Sequence, residues 1–221
     1  ACGRPSTVNT SEAHNKRLLL LKTMQDPFFK FIPDSMKHWV PVLSEVYSDD
    51  QKFRDLSNPS LYALNKKEQD KIDSSNQVIV MSFLEKYGWP GKFTVGFKGM
   101  RAIAMVIQHA NLKTQEQYLP ILKQAYEKDR THAETLALLE DRILMKNRKL
   151  QLYGTQIINF EGSVTLYPVF NVDSLNARRK ALGLTQDISS YLKYSFKSTW
   201  SVEEYKKILP KLTDYYNVTS E

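Results

Sequence analysis

Apolar residues recur every three or four positions along most of the 221-residue chain, which is the spacing of one face of an α-helix. Prolines, glycines and capping residues divide this pattern into separate segments. The pattern predicts helices over the following ranges: 13–24, 34–47, a short segment from 48, 66–87, 99–112, 115–128, 132–146, 173–182, 187–194 and 201–212. We therefore expect a mainly α fold.

The segment 99–112 is apolar on nearly every face, and an uninterrupted apolar run extends from Ala102 to Ile107. A helix that is apolar all round belongs inside a fold rather than on its surface. We expect this helix to form the centre of the structure.

The pattern changes after Gln151. Residues 156–160 and 163–167 are rich in β-branched and aromatic side chains, and Glu161-Gly162 separates them. Two such segments joined by two residues that include glycine predict a β-hairpin. The predicted fold class is a single multi-helix domain with a small β-hairpin near residues 155–167.

Hydrophobic residues make up 42% of the chain and charged residues 25%, which is typical of a folded protein. We predict a flexible N-terminal tether over 1–12 and a single helical domain over 13–221. The net charge is +7, but the basic residues are scattered along the chain. Because recognition of nucleic acid needs a basic patch rather than net charge alone, we expect no nucleic-acid partner.

The chain starts with Ala1-Cys2-Gly3, followed by a polar stretch. This start resembles the remnant of a bacterial lipoprotein signal, in which a small residue precedes a lipid-modified cysteine. It predicts lipid attachment at Cys2 and a location in the periplasm or cell envelope, with the lipid as the only contact to the membrane. The alternative is an ordinary exposed cysteine in a cytoplasmic protein. No run of 18 apolar residues is present, so no membrane span is predicted.

Several polar residues fall on apolar helix faces, where an unpaired polar group costs about 1–3 kcal/mol. Asn76 shares a face with Ile72 and Ile79, Gln108-His109 ends the most apolar helix, and Asp141-Arg142 lies among leucines and isoleucines. Each is either a group satisfied within the core or part of a functional site.

Two further segments carry polar groups of interest. Asp50, Gln51 and Arg54 follow one another closely, and the i, i+4 spacing of Asp50 and Arg54 also fits an ordinary surface ion pair. The segment Gln151-Leu152-Tyr153-Gly154-Thr155-Gln156 enters the hairpin, and it is either a tight connection or a source of neutral hydrogen-bonding groups.

Taken in order, these motifs resemble a bacterial domain family of unknown function, over about residues 45 to 192. The resemblance is carried by the following segments: Asp50-Gln51-Lys52-Phe53-Arg54, Asp73-Ser74-Ser75-Asn76, Gly88-Trp89-Pro90, Gln108-His109-Ala110, Asp141-Arg142, Gln151 to Gln156, Asp173 and Arg178 to Leu184. The ordered set is fairly specific, whereas each single motif is weak. The resemblance implies a domain boundary and a functional cluster, and it implies no reaction.

The first functional hypothesis is a small-molecule site, with or without catalysis. His109 would act as general base or acid, and Asp141 would orient it or pair with an arginine. Arg54 and Arg142 would hold an anionic group. Neutral hydrogen bonds to the ligand would come from the following side chains: Gln51, Asn76, Gln108, Tyr153 and Gln156. Trp89 would form an apolar wall of the site.

The second hypothesis is an envelope-associated scaffold or interaction module, in which the polar cluster only fixes helix packing. An open cleft holding His109 and an arginine would favour the first hypothesis, and a closed network would favour the second. The sequence contains no zinc-ligand spacing, no serine or cysteine nucleophile motif and no phosphate-binding loop, so we predict neither a metal nor a cofactor.

Overall fold

A computed structural model describes residues 29–54, 59–91 and 93–219 of the chain. They form two compact units divided after His109, here called unit 1 and unit 2. Both consist mainly of helices, which confirms the mainly α prediction. The tether, Cys2 and the predicted helix 13–24 lie outside the described residues, and the single domain over 13–221 stays a prediction.

Unit 1 consists of helices joined by short loops. Its described elements are a 3₁₀ turn at Phe29–Phe31 and the helices α1 (Asp34–Lys37), α2 (Trp39–Gln51), α3 (Pro59–Tyr87) and α4 (Gly96–His109). Pro59 occupies the first position of α3, where a proline removes no helical hydrogen bond. Gly88 follows α3 with φ +67°, so it ends the helix as the sequence predicted.

Helix α2 differs from the prediction, because it continues to Gln51 and no new helix starts at Ser48. Leu43, Val46 and Asp50 are all buried along one side of α2, so its inward face extends through Asp50. Pro41 is tolerated because it lies in the first turn, where backbone N–H groups have no intrahelical acceptor. Of the two interpretations of Asp50 and Arg54, the ordinary surface pair is therefore wrong, because the Asp50 side chain is 1% exposed.

Helices α2 and α4 pack closely, and α3 packs against both. Gly99 lies at the contact of α2 with α4, since a Cβ atom there would lie 3.4 Å from the Cβ of Leu43 and 3.0 Å from Val95. One face of α4 is buried, with Ala102, Ile103, Val106 and Ile107, whereas Phe97 on the same helix is 62% exposed. The most apolar helix therefore packs its buried face against both other long helices of unit 1.

Unit 2 contains both helices and strands. Its described elements are α5 (Leu112–Glu127), α6 (Ala133–Lys146), β1 (Ile157–Phe160), β2 (Ser163–Leu166), a 3₁₀ turn (Val172–Ser174), α7 (Leu175–Ala181), α8 (Ile188–Phe196) and α9 (Val202–Tyr215). Helices α5 and α6 pack against each other. Among the described residues of the whole chain, no helix has both the length and the apolarity needed to cross a bilayer.

Side-chain caps fix three helix starts in unit 2. Asn111 accepts from the amide of Thr114, Asp187 from that of Ser190 and Ser201 from that of Glu204. The cap at Asn111 also explains a wrong boundary. The predicted helix 99–112 ends at His109 because Asn111 already begins α5.

The hairpin has the predicted form. Strands β1 and β2 are antiparallel, and they pair from Ile157 with Leu166 to Phe160 with Ser163. Glu161 and Gly162 form the two-residue turn with φ +52° and φ +80°. Two positive φ values match the twist that a tight hairpin requires.

The core of unit 2 lies between the hairpin and the helices α7, α8 and α9. Its fully buried side chains include Leu166, Leu175, Ile188 and Leu212. The hydroxyl of buried Tyr205 accepts a hydrogen bond from the amide of Val169 at 3.0 Å and donates one to the carbonyl of Tyr167 at 3.1 Å. Helix α9 therefore completes both the apolar core and the backbone hydrogen bonding after β2.

We expect Gly154→Ala to destabilise the protein more than Gly162→Ala. Both glycines have positive φ, which costs an alanine about 1 kcal/mol. At Gly154 the new Cβ would also lie 3.0 Å from the Cδ1 of buried Ile188, whereas nothing lies within 4 Å of a Cβ at Gly162. Overpacking should add a further ~1 kcal/mol. Urea unfolding of both variants measures the difference, and equal losses would contradict the proposed crowding.

Candidate functional site

A buried carboxylate contacts a histidine in unit 1. Asp50, in the last turn of α2, has a side chain that is 1% exposed, and its Oδ1 lies 2.9 Å from Nδ1 of His109 at the end of α4. The imidazole of His109 is 22% exposed. The packing of α2 against α4 brings these two helix ends together. His109 is therefore partly exposed to solvent while its Nδ1 contacts a buried carboxylate.

Arg54 contacts the same carboxylate and a second one. Its Nη1 donates to the Asp50 carbonyl oxygen and lies 3.3 Å from Asp50 Oδ1, while Nη2 pairs with Asp73 of α3. Gln51 Nε2 donates to Asp50 Oδ2 at 2.7 Å, and Gln69 Nε2 donates to Asp73 Oδ1 at 2.8 Å. We call Asp50, Gln51, Arg54, Gln69, Asp73 and His109 the unit 1 cluster.

Asp50 is ionised at neutral pH. Burial by itself raises the pKa of Asp50, but the hydrogen bond and charge of His109, together with the charge of Arg54, outweigh it and lower the pKa. An ionised carboxylate accepts hydrogen bonds, so His109 donates through Nδ1. In neutral His109 the lone pair is then on Nε2, which has no hydrogen-bond partner within the described part of the chain.

The other residues predicted for the site in unit 1 are buried. Asn76 is 3% exposed, and its Nδ2 donates to the Val46 carbonyl of α2 at 3.4 Å. Trp89 is 3% exposed, and its indole N–H has no partner among the described residues. Gln108 is 8% exposed. Asn76 thus links α3 to α2, and no described contact joins Trp89 to His109.

In unit 2 a second buried carboxylate fixes a loop. Asp141 of α6 is 0% exposed. Its oxygens accept from the amides of Leu152 at 2.7 Å, Tyr153 at 3.0 Å and Thr155 at 2.9 Å, and from the Thr155 hydroxyl at 2.9 Å. The segment 152–155 therefore wraps around the carboxylate.

Two arginines of α7 hold the carbonyl groups of the same loop. Arg178 donates through Nε to the Leu152 carbonyl at 3.0 Å and through Nη2 to the Phe170 carbonyl. Arg179 donates through Nη1 to the Tyr153 carbonyl at 2.6 Å. The amides of the loop thus face an anion and its carbonyls face cations. This explains why the Asp-Arg, Gln-to-Gln and Arg-Arg motifs occur together.

Glutamine side chains complete the loop. Gln151, which is 0% exposed, donates to the carbonyls of Gln156 at 3.0 Å and Tyr167 at 2.7 Å, and it accepts from the Gln156 amide at 2.9 Å. The Nε2 of Gln156 donates to the Thr155 hydroxyl at 3.0 Å. The Gln151 side chain thus joins the backbone of Gln156 to the backbone of Tyr167, which follows β2. The hydrogen bonds of this network are satisfied internally.

The predicted site residues therefore fall into two sets. Unit 1 brings together Gln51, Arg54 and His109, and unit 2 brings together Asp141, Tyr153 and Gln156. Half-buried Arg142 lies on α6, next to Asp141.

The carboxylate that contacts Nδ1 of His109 is Asp50, whereas the sequence prediction named Asp141 either for this role or for pairing with an arginine. Asp50 was not predicted for this role because its spacing from Arg54 also fits a surface pair. Sequence reasoning also missed Gln69 and the part played by Asp73. The signal for both was present, since Gln69, Asp73 and Asn76 follow one another at helical spacing on α3.

Burial also raises the pKa of the half-buried Tyr153 phenol to about 12, helped by the charges of Glu140 and Asp141. This side chain is therefore a neutral hydrogen-bonding group at neutral pH. Within the described residues, no three His, Cys, Asp or Glu side chains are grouped so as to hold a metal ion.

We expect Asp50→Asn to lower the free energy of unfolding at pH 7 by about 2 kcal/mol, because the variant loses charged hydrogen bonds. The folded pKa of Asp50 lies below its ordinary value of 3.8. This contribution is therefore fully present above that value and lost as the pH falls through the folded pKa. Urea unfolding from pH 7 to pH 3 should show wild type and variant converging in acid.

The control for this measurement is Asp34→Asn, which removes an exposed carboxylate whose ion pair within the described residues is with Lys37. It should change stability little at either pH. A gap between wild type and Asp50→Asn that stays constant down to pH 3 would contradict the assigned role of the ionised carboxylate.

We expect Asp141→Asn to cost about 3 kcal/mol, although burial raises the pKa of Asp141 and so disfavours its charged form, because the new amide turns N–H donors toward loop amides that need an acceptor. The control is Glu140→Gln on the same helix, which removes an ion pair with Lys123 and changes a side-chain contact with Tyr153 but touches no loop amide, and it should cost only about 1 kcal/mol. Thermal and urea unfolding measure both. Similar losses for the two variants would show that the loop does not depend on Asp141.

No curated protein and no solved structure matches the chain. The model of a family of unknown function, DUF6624, matches residues 56–197, which confirms the predicted resemblance to a family of unknown function. The matched segment includes His109, Asp141 and both arginines of α7, whereas Asp50 and Arg54 precede it. The chain belongs to this family of unknown function, DUF6624.

Proposed function

We propose that unit 1 carries a small-molecule site at which His109 transfers protons as a general base or acid. The observation that carries the proposal is the 2.9 Å contact between Nδ1 of partly exposed His109 and Oδ1 of buried Asp50. A carboxylate on one ring nitrogen fixes the tautomer and orientation of an imidazole and stabilises its protonated form. The other nitrogen, Nε2, is then available to a substrate or a water molecule.

Arg54 is assigned a positioning role in this proposal. It pairs with Asp50 and with Asp73, so its positive charge is already balanced by two carboxylates. An arginine that is paired in this way positions the Asp50 carboxylate against His109, and it attracts an anionic ligand only weakly. The proposed chemistry is therefore proton transfer with a polar, uncharged group, such as a hydroxyl or an attacking water.

The alternative function, an interaction module with a structural polar cluster, is supported by a specific observation in unit 2. The carboxylate of Asp141 and the side chain of Gln151 are satisfied by the loop 151–156. We therefore assign the unit 2 network to folding and the catalytic role to unit 1. A location in the cell envelope is a separate proposal, which rests on the N-terminal sequence around Cys2.

The proposal predicts that His109→Gln loses catalysis and keeps its fold. We expect turnover of any substrate found in a panel of chromogenic esters, phosphoesters and amides to fall about 100-fold or more. The melting temperature should fall by only a few degrees, because Gln51 and Arg54 still contact the Asp50 carboxylate. Asp50→Asn should also lose turnover, because an amide on Nδ1 no longer selects the required tautomer. His38→Gln is the matched control, because His38 is exposed and pairs with no carboxylate among the described residues.

A substrate-free measurement tests the same geometry. Diethyl pyrocarbonate modifies accessible, unprotonated imidazole nitrogens, and mass spectrometry locates the modified residues. Nε2 of His109 should react in the wild-type protein, and the rate should change in Asp50→Asn but not in Asp34→Asn. A His109 that resists modification, or a His109→Gln variant that unfolds at a much lower temperature, would favour the structural role.

A further inference from the structure

A small pocket in unit 2 contains a buried cation. The pocket has a volume of about 100 Å³, and its polar lining includes Arg179, Thr185, Tyr191 and Glu134. At about 30 Å³ for each water molecule, it has room for about three waters or one small organic molecule. It lies apart from the unit 1 cluster in sequence, and the proposed function does not use it.

Arg179 lines this pocket although it is only 4% exposed. Its Nε donates to the Gln186 carbonyl at 3.0 Å and its Nη1 donates to the Tyr153 carbonyl at 2.6 Å. Within the described part of the chain, Nη2 makes no hydrogen bond, and no carboxylate lies within ion-pair distance of the guanidinium. A guanidinium normally presents a fork of donors to a single acceptor group.

Three carboxylates are near Arg179 without neutralising it. Glu134, Asp141 and Asp187 act on it through space, but burial outweighs them and lowers the pKa of Arg179. Asp141 is occupied by the loop amides, and Asp187 caps α8. Glu134 is exposed at the pocket. Because a buried charge is costly without a partner of opposite sign, the guanidinium favours an added anion.

The rest of the lining supplies neutral donors. The guanidinium lies over the Tyr191 ring at 5.2 Å from its centroid. Burial raises the pKa of Tyr191, so its hydroxyl stays protonated and can donate. Among the described residues, neither the Thr185 hydroxyl nor the Tyr191 hydroxyl is engaged in a hydrogen bond. Both hydroxyls can therefore donate hydrogen bonds to the oxygens of a bound carboxylate, directly or through water.

We infer that this pocket binds a small carboxylate, of the size of acetate or propionate, on the Nη2 edge of Arg179. The carboxylate supplies the counter-charge that the described residues do not provide. The pocket is too small for a ligand with a large aromatic ring, since a cavity that holds benzene measures about 150 Å³.

The test is a titration of the ¹⁵N-labelled full chain with sodium propionate at constant ionic strength, followed by NMR. Propionate should produce saturable shifts of the Thr185 amide and the Arg179 Nε–H group, and propionamide, its neutral analogue, should produce none. Glu134→Gln should tighten propionate binding by about 3-fold, because it removes a like charge at the pocket without removing a contact. This gain cannot arise from misfolding.

Variants of the cation and of the unit 1 cluster separate the possible outcomes. Arg179→Lys should weaken propionate binding at least about 10-fold, and His109→Gln should leave it unchanged, so this site and the proposed function can fail independently. Equal shifts with propionamide, no effect of Glu134→Gln, or tighter binding of inorganic phosphate than of propionate would overturn the assignment of a carboxylate site.

Discussion

A carboxylate taken out of water must collect hydrogen bonds or opposite charges, and this constraint organises both units of the protein. The cost of an unpaired buried charge exceeds the stability contributed by most other single contacts. Asp50 and Asp141 are both almost completely buried. The chain therefore places donors around each of them, and the donors differ in kind. That difference separates a structural network from a candidate reactive site.

Asp141 is satisfied by backbone amides and a hydroxyl from one loop, and such groups have no further chemistry to offer. Asp50 is instead satisfied by side chains, and one of them is an imidazole with a second nitrogen directed elsewhere. The same physical requirement thus produces a rigid connection into the hairpin in unit 2. In unit 1 it produces an oriented histidine with an arginine behind the acid.

The sequence predicted most helices and the hairpin, because periodicity and turn residues are local signals. It predicted that His109 and Arg54 belong to a polar cluster, and the structure places both against Asp50. It did not identify Asp50 as the carboxylate on His109, because local spacing cannot distinguish an exposed ion pair from a buried one. That distinction depends on how α2 packs against α4, which no single helix pattern reveals.

Helix α9 and helix α2 have a practical consequence for how this family is delimited. The family match spans 56–197, yet Tyr205 of α9 binds the backbone on both sides of Pro168, and Asp50 of α2 holds His109. A protein fragment that ends at the borders of the match would lack α9, which contributes Tyr205 and Leu212 to the core of unit 2. It would also lack Asp50, the carboxylate that contacts His109. Expression boundaries for this chain are better chosen from the packed helices, about one helix beyond each end of the matched segment.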